Sequence, residues 1–296
     1  MLADAHCHFF SPGFLRALGR EAKIEGDGAD LVPNRIGWEP PQSDETLADR
    51  WVAELDRYSV ARVMLIASIP GDESSVAAAV ARHPTRIVGA FMVNPSAPDA
   101  AARVERAFSE LGLSTACLFP AMHHLSLDDA RVQAVFESAA RHRRVVFVHC
   151  GVLSIGARKK LNLPCPFDLR LGDPLAVAAT AVRYPTVPVI IPHFGAGMFR
   201  EALMAAGSAS NILLDTSSSN SWVGLHPGLT IRDVFARALD QVGPARLLFG
   251  SDSSFFPRGW HRAVYDAQRS LLADLGVVAE AQEAVFGGNF ARVFAP

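Results

Sequence analysis

The sequence predicts a single-domain α/β fold, a distorted (β/α)8 barrel over residues 1–296, and three observations carry that expectation. Apolar strand-like runs alternate with helix-patterned segments from end to end, which is how βα units around a parallel sheet are written. The strand runs are nearly continuous rather than alternating, as in RVVFV and PVIIP, which suits strands covered on both faces. Residues able to ligate a metal stand at the ends of four of these runs, LADAHCHF, VVFVHCG, PVIIPHFG and ARLLFGSD. A doubly wound open sheet is the alternative. No Gly-x-Gly-x-x-Gly follows the first strand, and the FGAG at 194–197 lacks the required spacing.

In order, strands are expected at 2–9, 62–69, 87–94, 115–120, 144–150, 188–194, 211–216 and 245–252. Helices are expected near 44–58, 73–83, 97–111, 128–142, 173–184, 199–207, 231–242 and 261–275. Ser96 is the expected cap of the third helix, with Pro98 and Asp99 in its first turn, and Ser126 or Asp128 of the fourth. Two stretches break the rhythm and read as long loops, 10–43 and 151–172, the second carrying Arg158, Lys159, Lys160 and Arg170. Loops of this length in a compact domain are usually functional, and in a barrel the βα loops lie on the catalytic face.

Half of the residues are hydrophobic and one fifth charged, which supplies a large core and excludes a disordered chain. A net charge of −2 without a charged block gives no reason to expect nucleic acid or an anionic membrane as partner. No apolar run approaches the roughly 18 residues of a membrane span, and no signal peptide is visible, so a cytoplasmic location is expected. The expected partner is a small-molecule substrate, with a homo-oligomer left open. Cys7, Cys117, Cys150 and Cys165 form no Cys-x-x-Cys pair and read as reduced, mostly buried thiols. Strand alternation puts His6 and His8 on one face and Cys7 on the other.

His6, His8, His149 and Asp252 form a plausible ligand set for one divalent metal, zinc or manganese, since imidazole and carboxylate suit a borderline-soft ion. Such an ion lowers the pKa of water from 15.7 toward about 7. Asp252 would then serve both as ligand and as general base. His193 ends the sixth strand as a further catalytic or supporting group. Candidate substrate contacts are His123, Arg170, Trp222, Arg258 and Trp260, and Asp215 is placed to orient a ligand imidazole from behind. His83, His142, His226 and His261 read as helix or loop residues on the surface.

These motifs resemble the amidohydrolase superfamily, in the group that includes aminocarboxymuconate-semialdehyde decarboxylase and pyrone-dicarboxylate lactonase. The resemblance runs from Asp4-Ala-His6-Cys-His8 through Val148-His149-Cys-Gly, Ile191-Pro-His193-Phe-Gly and Gly250-Ser-Asp252 to Gly288-Asn289-Phe-Ala-Arg292-Val-Phe294. It implies His6, His8, His149 and Asp252 as metal ligands and His193 as the catalytic histidine. Other branches bridge two metals with a carboxylated lysine from the fourth strand. Here that strand reads TACLFP, and Cys117 falls about where the lysine would stand, so a single metal is expected.

The ligands alone leave two chemistries open. One is hydrolysis of a lactone, amide or ester bond of a small carboxylated substrate by metal-activated water. The other is nonoxidative decarboxylation of an aromatic or muconate-type acid. A barrel with a merely structural metal is the non-enzymatic alternative, because four protein ligands also close a structural zinc site.

Overall fold

A computed structural model describes residues 1–217 and 221–295. The chain opens with strand β1 (Ala3–Phe9), followed by helices α1 (Pro12–Glu21), α2 (Gly28–Ile36) and α3 (Asp44–Arg57). Next come β2 (Arg62–Ala67), α4 (Glu73–Arg82), β3 (Ile87–Val93), α5 (Ala100–Ser109) and β4 (Thr115–Leu118). After α6 (Pro120–His123) and α7 (Ala130–His142) follow β5 (Val145–Val148), α8 (Gly156–Lys160), α9 (Pro174–Arg183) and β6 (Val189–Ile191). The last units are α10 (Phe199–Ser208), β7 (Ile212–Asp215), α11 (Ile231–Val242), β8 (Leu247–Leu248) and α12 (Arg262–Asp274). Two short helices, α13 (Ala279–Glu283) and α14 (Asn289–Val293), end the chain.

All eight strands lie in one parallel sheet in sequence order. The seam between β8 and β1 is closed by the backbone beyond β8. Ala5 N donates to Phe249 O (2.8 Å), Asp252 N to His6 O (2.9 Å) and His8 N to Ser253 O (2.7 Å). The expected (β/α)8 barrel is therefore present. Among the described residues no helix is long and apolar enough to cross a membrane.

Side chains separate into two layers as strand alternation requires. Met64, Ile66, Ala90, Phe147, Ile190 and Leu213 fill the lumen. Val63, Leu65, Phe91, Val146, Val189 and Leu214 pack in the layer that includes the surrounding helices. Phe290 and Phe294 join the lumen cluster from the C-terminal segment, and Gly287 passes so close to Met1 that a Cβ would lie 2.0 Å from its carbonyl oxygen. Cys117 is buried in the lumen and Cys7 packs outside it, while Cys165 is half-buried and all four cysteines are free.

Three expectations need correction. The 10–43 stretch is not irregular: Ser11 and Asp27 cap α1 and α2 with their side chains, and the two helices pack on each other. The cap of α7 is Asp129, which accepts from Arg131 N, whereas Ser126 turns back to accept from Asp128 N. α5 starts only at Ala100, after Asp99, which makes no side-chain cap, and the Ser96 hydroxyl instead accepts from Arg131.

Candidate metal centre

β1 carries a bulge between Asp4 and Cys7, where the pairing with β2 slips by one residue. Ala3 and Ala5 pack into the lumen, Cys7 and Phe9 into the outer layer, and His6 and His8 line the cavity at the C-terminal mouth. The bulge thus sends Asp4 outward, although strict alternation would place it beside His6.

Both histidines have one nitrogen committed from behind. His6 Nδ1 lies 2.5 Å from Asp215 Oδ2. His8 Nδ1 lies 2.8 Å from Ser68 Oγ, whose own hydroxyl donates to Ile66 O. Each Nδ1 therefore carries the proton, by hydrogen-bond assignment, and each Nε2 is left facing Asp252. Asp252 Oδ1 is 3.6 Å from His6 Nε2 and 3.1 Å from His8 Nε2. His6, His8 and Asp252 offer ligand atoms that all lie within 4.8 Å of one another. This donor set, with a carboxylate and a hydroxyl orienting the imidazoles, fits a divalent metal.

His149 and His193 stand on the segments after β5 and β6. The His193 ring is centred 4.9 Å from that of His6 and 5.4 Å from that of His149. His149 stacks on Phe119 and lies outside the tight three-residue group. His193 Nδ1 approaches Ser217 Oγ (2.8 Å) and Ser217 O (3.2 Å); only the carbonyl is obliged to accept, so Nδ1 holds the proton and Nε2 the lone pair. His193 and Asp252 both have left-handed backbone, φ 54° and 55°, a conformation that non-glycine residues rarely adopt and that recurs at functional sites.

Electrostatics divide the set. Burial opposes a charge on His6, but the Asp215 and Asp252 carboxylates outweigh it and raise its pKa to about 9. Burial, with His193 and His6 nearby, pushes His149 well below the usual histidine range. His193 is lowered for the same reason, burial first and then His6. Partial burial opposes the charge of Asp252 too, yet its bond to His8 and the charge of His6 hold it below the ordinary carboxylate range.

A ring of bonds fixes the β8 end of the site. Asp4 Oδ1 accepts from His6 N (2.9 Å) and Ser251 N (3.1 Å), and Trp260 Nε1 donates to Asp4 Oδ2 (2.7 Å). Gly250 is required there, because a Cβ would stand 2.7 Å from Asp215 Oδ1 and 2.9 Å from His6 Cβ.

The site opens into a cavity of about 390 Å3. Phe10, Phe14, Trp38, Phe255 and Arg258 form part of its wall, and Met92, Phe119, Met122, Leu153 and Ile155 another part. Of the expected substrate contacts, only Arg258 lies on it. Arg170 points to solvent, its side chain 89% exposed and paired with Asp168, so its place near the loop's end does not bring it to the site. Trp222 is buried against Phe199 and His226, Trp260 serves Asp4, and His123 faces a separate small cleft. The other basic residues brace the cover of the cavity. Arg158 pairs with Glu21 at the end of α1, and Lys160 Nζ donates to Ile36 O at the end of α2. His83 and His142 pair with Asp49 and Glu105, half-buried rather than free on the surface. Sequence reasoning missed Ser68, Ser217, Asp4 and Trp38, none of which carries a ligand-type signature in its local sequence.

The family model for amidohydrolases matches residues 3–295. The chain belongs to the amidohydrolase family. Among solved structures it is similar to 5-carboxyvanillate decarboxylase LigW from Sphingomonas paucimobilis, with a TM-score of 0.65 and 18% identity over 99% of this chain and 98% of that one. It is also similar to a probable 2-pyrone-4,6-dicarboxylic acid hydrolase from Acinetobacter baumannii with citric acid bound, TM-score 0.63, 14% identity, 100% and 99% covered. A third likeness is to an amidohydrolase from Burkholderia multivorans with bound zinc, TM-score 0.64, 17% identity, 100% and 99% covered. At these identities the likeness is one of fold. No curated protein sequence matches the chain.

Proposed function

We propose that the protein is a hydrolase dependent on one divalent metal, zinc or manganese, acting on a lactone, amide or ester bond of a small carboxylated substrate. The observation that carries this reading is the approach of His6 Nε2 and His8 Nε2 to one Asp252 oxygen, with both Nδ1 atoms already committed. His6, His8 and Asp252 would hold the metal, with His149 completing the set. Once bound, it would polarise a substrate carbonyl and make water acidic enough to react near neutral pH. Asp252, kept ionised by its two histidines, accepts the proton of the attacking water and returns it to the leaving group. His193 presents Nε2 as an acceptor, positioned by Ser217, and holds the water in line.

Nonoxidative decarboxylation is the second reading, favoured by the apolar part of the cavity wall, which offers a carboxylate little solvation and so favours its loss as carbon dioxide. The zinc in one similar structure, and the occurrence of both a decarboxylase and a hydrolase among the others, agree with this pair of alternatives.

The purified protein should contain about one zinc or manganese per chain, measured by elemental analysis, and His6→Ala should lose it. Full metal retention by a His6→Ala, Asp252→Ala double variant would sink the assignment. Proton release from lactones and esters and amine release from amides, set against carbon dioxide release from aromatic and muconate-type acids, separate the two chemistries. Full turnover by His193→Ala on the responding substrate would remove His193 from the mechanism.

A further inference from the structure

We infer that the outer face of α9 and α10 is the interface of a two-fold dimer, and that its occupant is a second copy of this chain. The surface lies outside the cavity, and the inference is independent of the metal reading.

Exposed apolar side chains scattered singly are ordinary, but here they gather. Among the described residues eight large ones are exposed, and five of them, Leu169, Leu175, Val182, Met204 and Leu225, fall between residues 169 and 225. On α9 the exposed positions Leu175, Ala179 and Val182 stand at i, i+4 and i+7, so they form one stripe facing away from the core. No charged residue interrupts α9 before Arg183. α10 packs beside α9 and adds Met204, 52% exposed, to Val182, 59% exposed. The helices on either side are charged. α7, which Arg183 of α9 reaches at Gln133, exposes Arg131, Glu137 and Arg141, and α11, packed on α10, exposes Arg232, Arg237 and Asp240. An apolar centre inside a polar rim of both signs is the anatomy of a protein interface, whereas an anionic membrane would call for a basic rim.

The charges at the two ends of α9 say what covers the stripe. Asp173 caps the helix, its Oδ1 accepting from Leu175 N (2.8 Å), and among the described residues no cation forms an ion pair with it. At the other end Arg183 Nη1 donates to Gln133 Oε1 (2.7 Å), and its Nη2 stands 3.6 Å from Asp128 in a loose, exposed pair. Turned about a two-fold axis beside Ala179, α9 lies antiparallel on its copy. Leu175 then faces the partner's Val182, and Asp173 the partner's Arg183. The negative and positive ends meet their opposites twice, which a copy of the same helix provides by symmetry. Ala179, small and exposed at the centre, lets the two helices approach to about 8–10 Å. Two helices of ten residues make a small patch beside the roughly 800 Å2 per partner of a stable interface, so the dimer is concentration-dependent, with a micromolar dissociation constant.

Sedimentation velocity of the purified full chain, from about 1 to 200 µM, should show monomer giving way to dimer. Val182→Glu and Met204→Glu should each weaken the association about tenfold or more, because each sets a carboxylate in the apolar centre. Val278→Glu, on a residue 67% exposed but on another part of the surface, should leave it unchanged. Asp173→Asn, which keeps the cap, Arg183→Gln, and the two together should weaken the dimer by about the same factor, since each removes one and the same pair. Circular dichroism of every variant, on the same samples, shows that the fold is intact. A parent protein that stays monomeric throughout, or a dimer untouched by Val182→Glu and Met204→Glu, would overturn the inference. Fully additive losses from Asp173→Asn and Arg183→Gln would overturn the antiparallel register.

Discussion

Asp215 does not line the cavity, yet its bond to Nδ1 decides which nitrogen of His6 faces Asp252. Asp215→Asn keeps the shape and removes the charge, so metal affinity should fall about 10- to 100-fold in a chelator-competition titration. At this scale the sequence was informative about residue type and silent about direction. His6, His8, His193 and Asp252 were legible because a ligand-type residue closing a buried apolar run has few structural reasons to be there. Arg170 and Trp222 were misplaced because their positions in loops say nothing about where the side chain turns. His123 shows a different misreading. It is mostly buried, and burial, with His124 beside it, lowers its pKa to about 4. A histidine neutral in the fold and protonated below about 6.5 when unfolded favours the unfolded state as pH falls from 6.5 to 4, with no further loss below 4. The melting temperature should therefore drop across that window, and His123→Leu should remove about 1–2 kcal/mol of the acid sensitivity, read from urea unfolding at pH 7 and 4.5.

At the scale of elements, the strands were the easiest part to foresee, because parallel strands buried on both faces are written as unbroken apolar runs. Helices α1 and α2 were not foreseen, since Pro33 and flanking glycines mask a helical pattern of only nine residues in α2. Their cohesion depends on two glycines. A Cβ at Gly28 would come within 2.9 Å of Leu15 O, and one at Gly19 within 3.0 Å of Gly28 Cα. Gly28→Leu should force the two helices apart, costing about 1–3 kcal/mol and opening residues 12–43 to limited proteolysis while the barrel's circular dichroism persists. The same pair holds Phe14 and, beyond its end, Trp38, so this part of the cavity wall should loosen in the variant. The β1 bulge was equally hidden. Nothing in Asp4-Ala-His6 announces the extra residue that turns Asp4 outward to Ser251 and Trp260 while keeping His6 and His8 together.

For the whole molecule, the eightfold alternation was enough to specify a barrel, but not how it closes. β8 has only two regular residues, and the barrel is completed by the irregular backbone that delivers Asp252. Because the proposed ligands span this joint, metal removal should lower the stability of the entire fold rather than of one loop. At free metal 100 times its dissociation constant the contribution would be about 2.7 kcal/mol, measurable as a fall in melting temperature on adding chelator. The seam also orders events in time. Asp4 and Ser251 are 247 positions apart, so during synthesis the His-x-His strand must wait for nearly the whole barrel before its carboxylate partner exists. Until then the emerging chain offers only a loose pair of imidazoles to any passing ion. A centre built from first and last strand, as proposed here, can close only on a chain whose two ends have met.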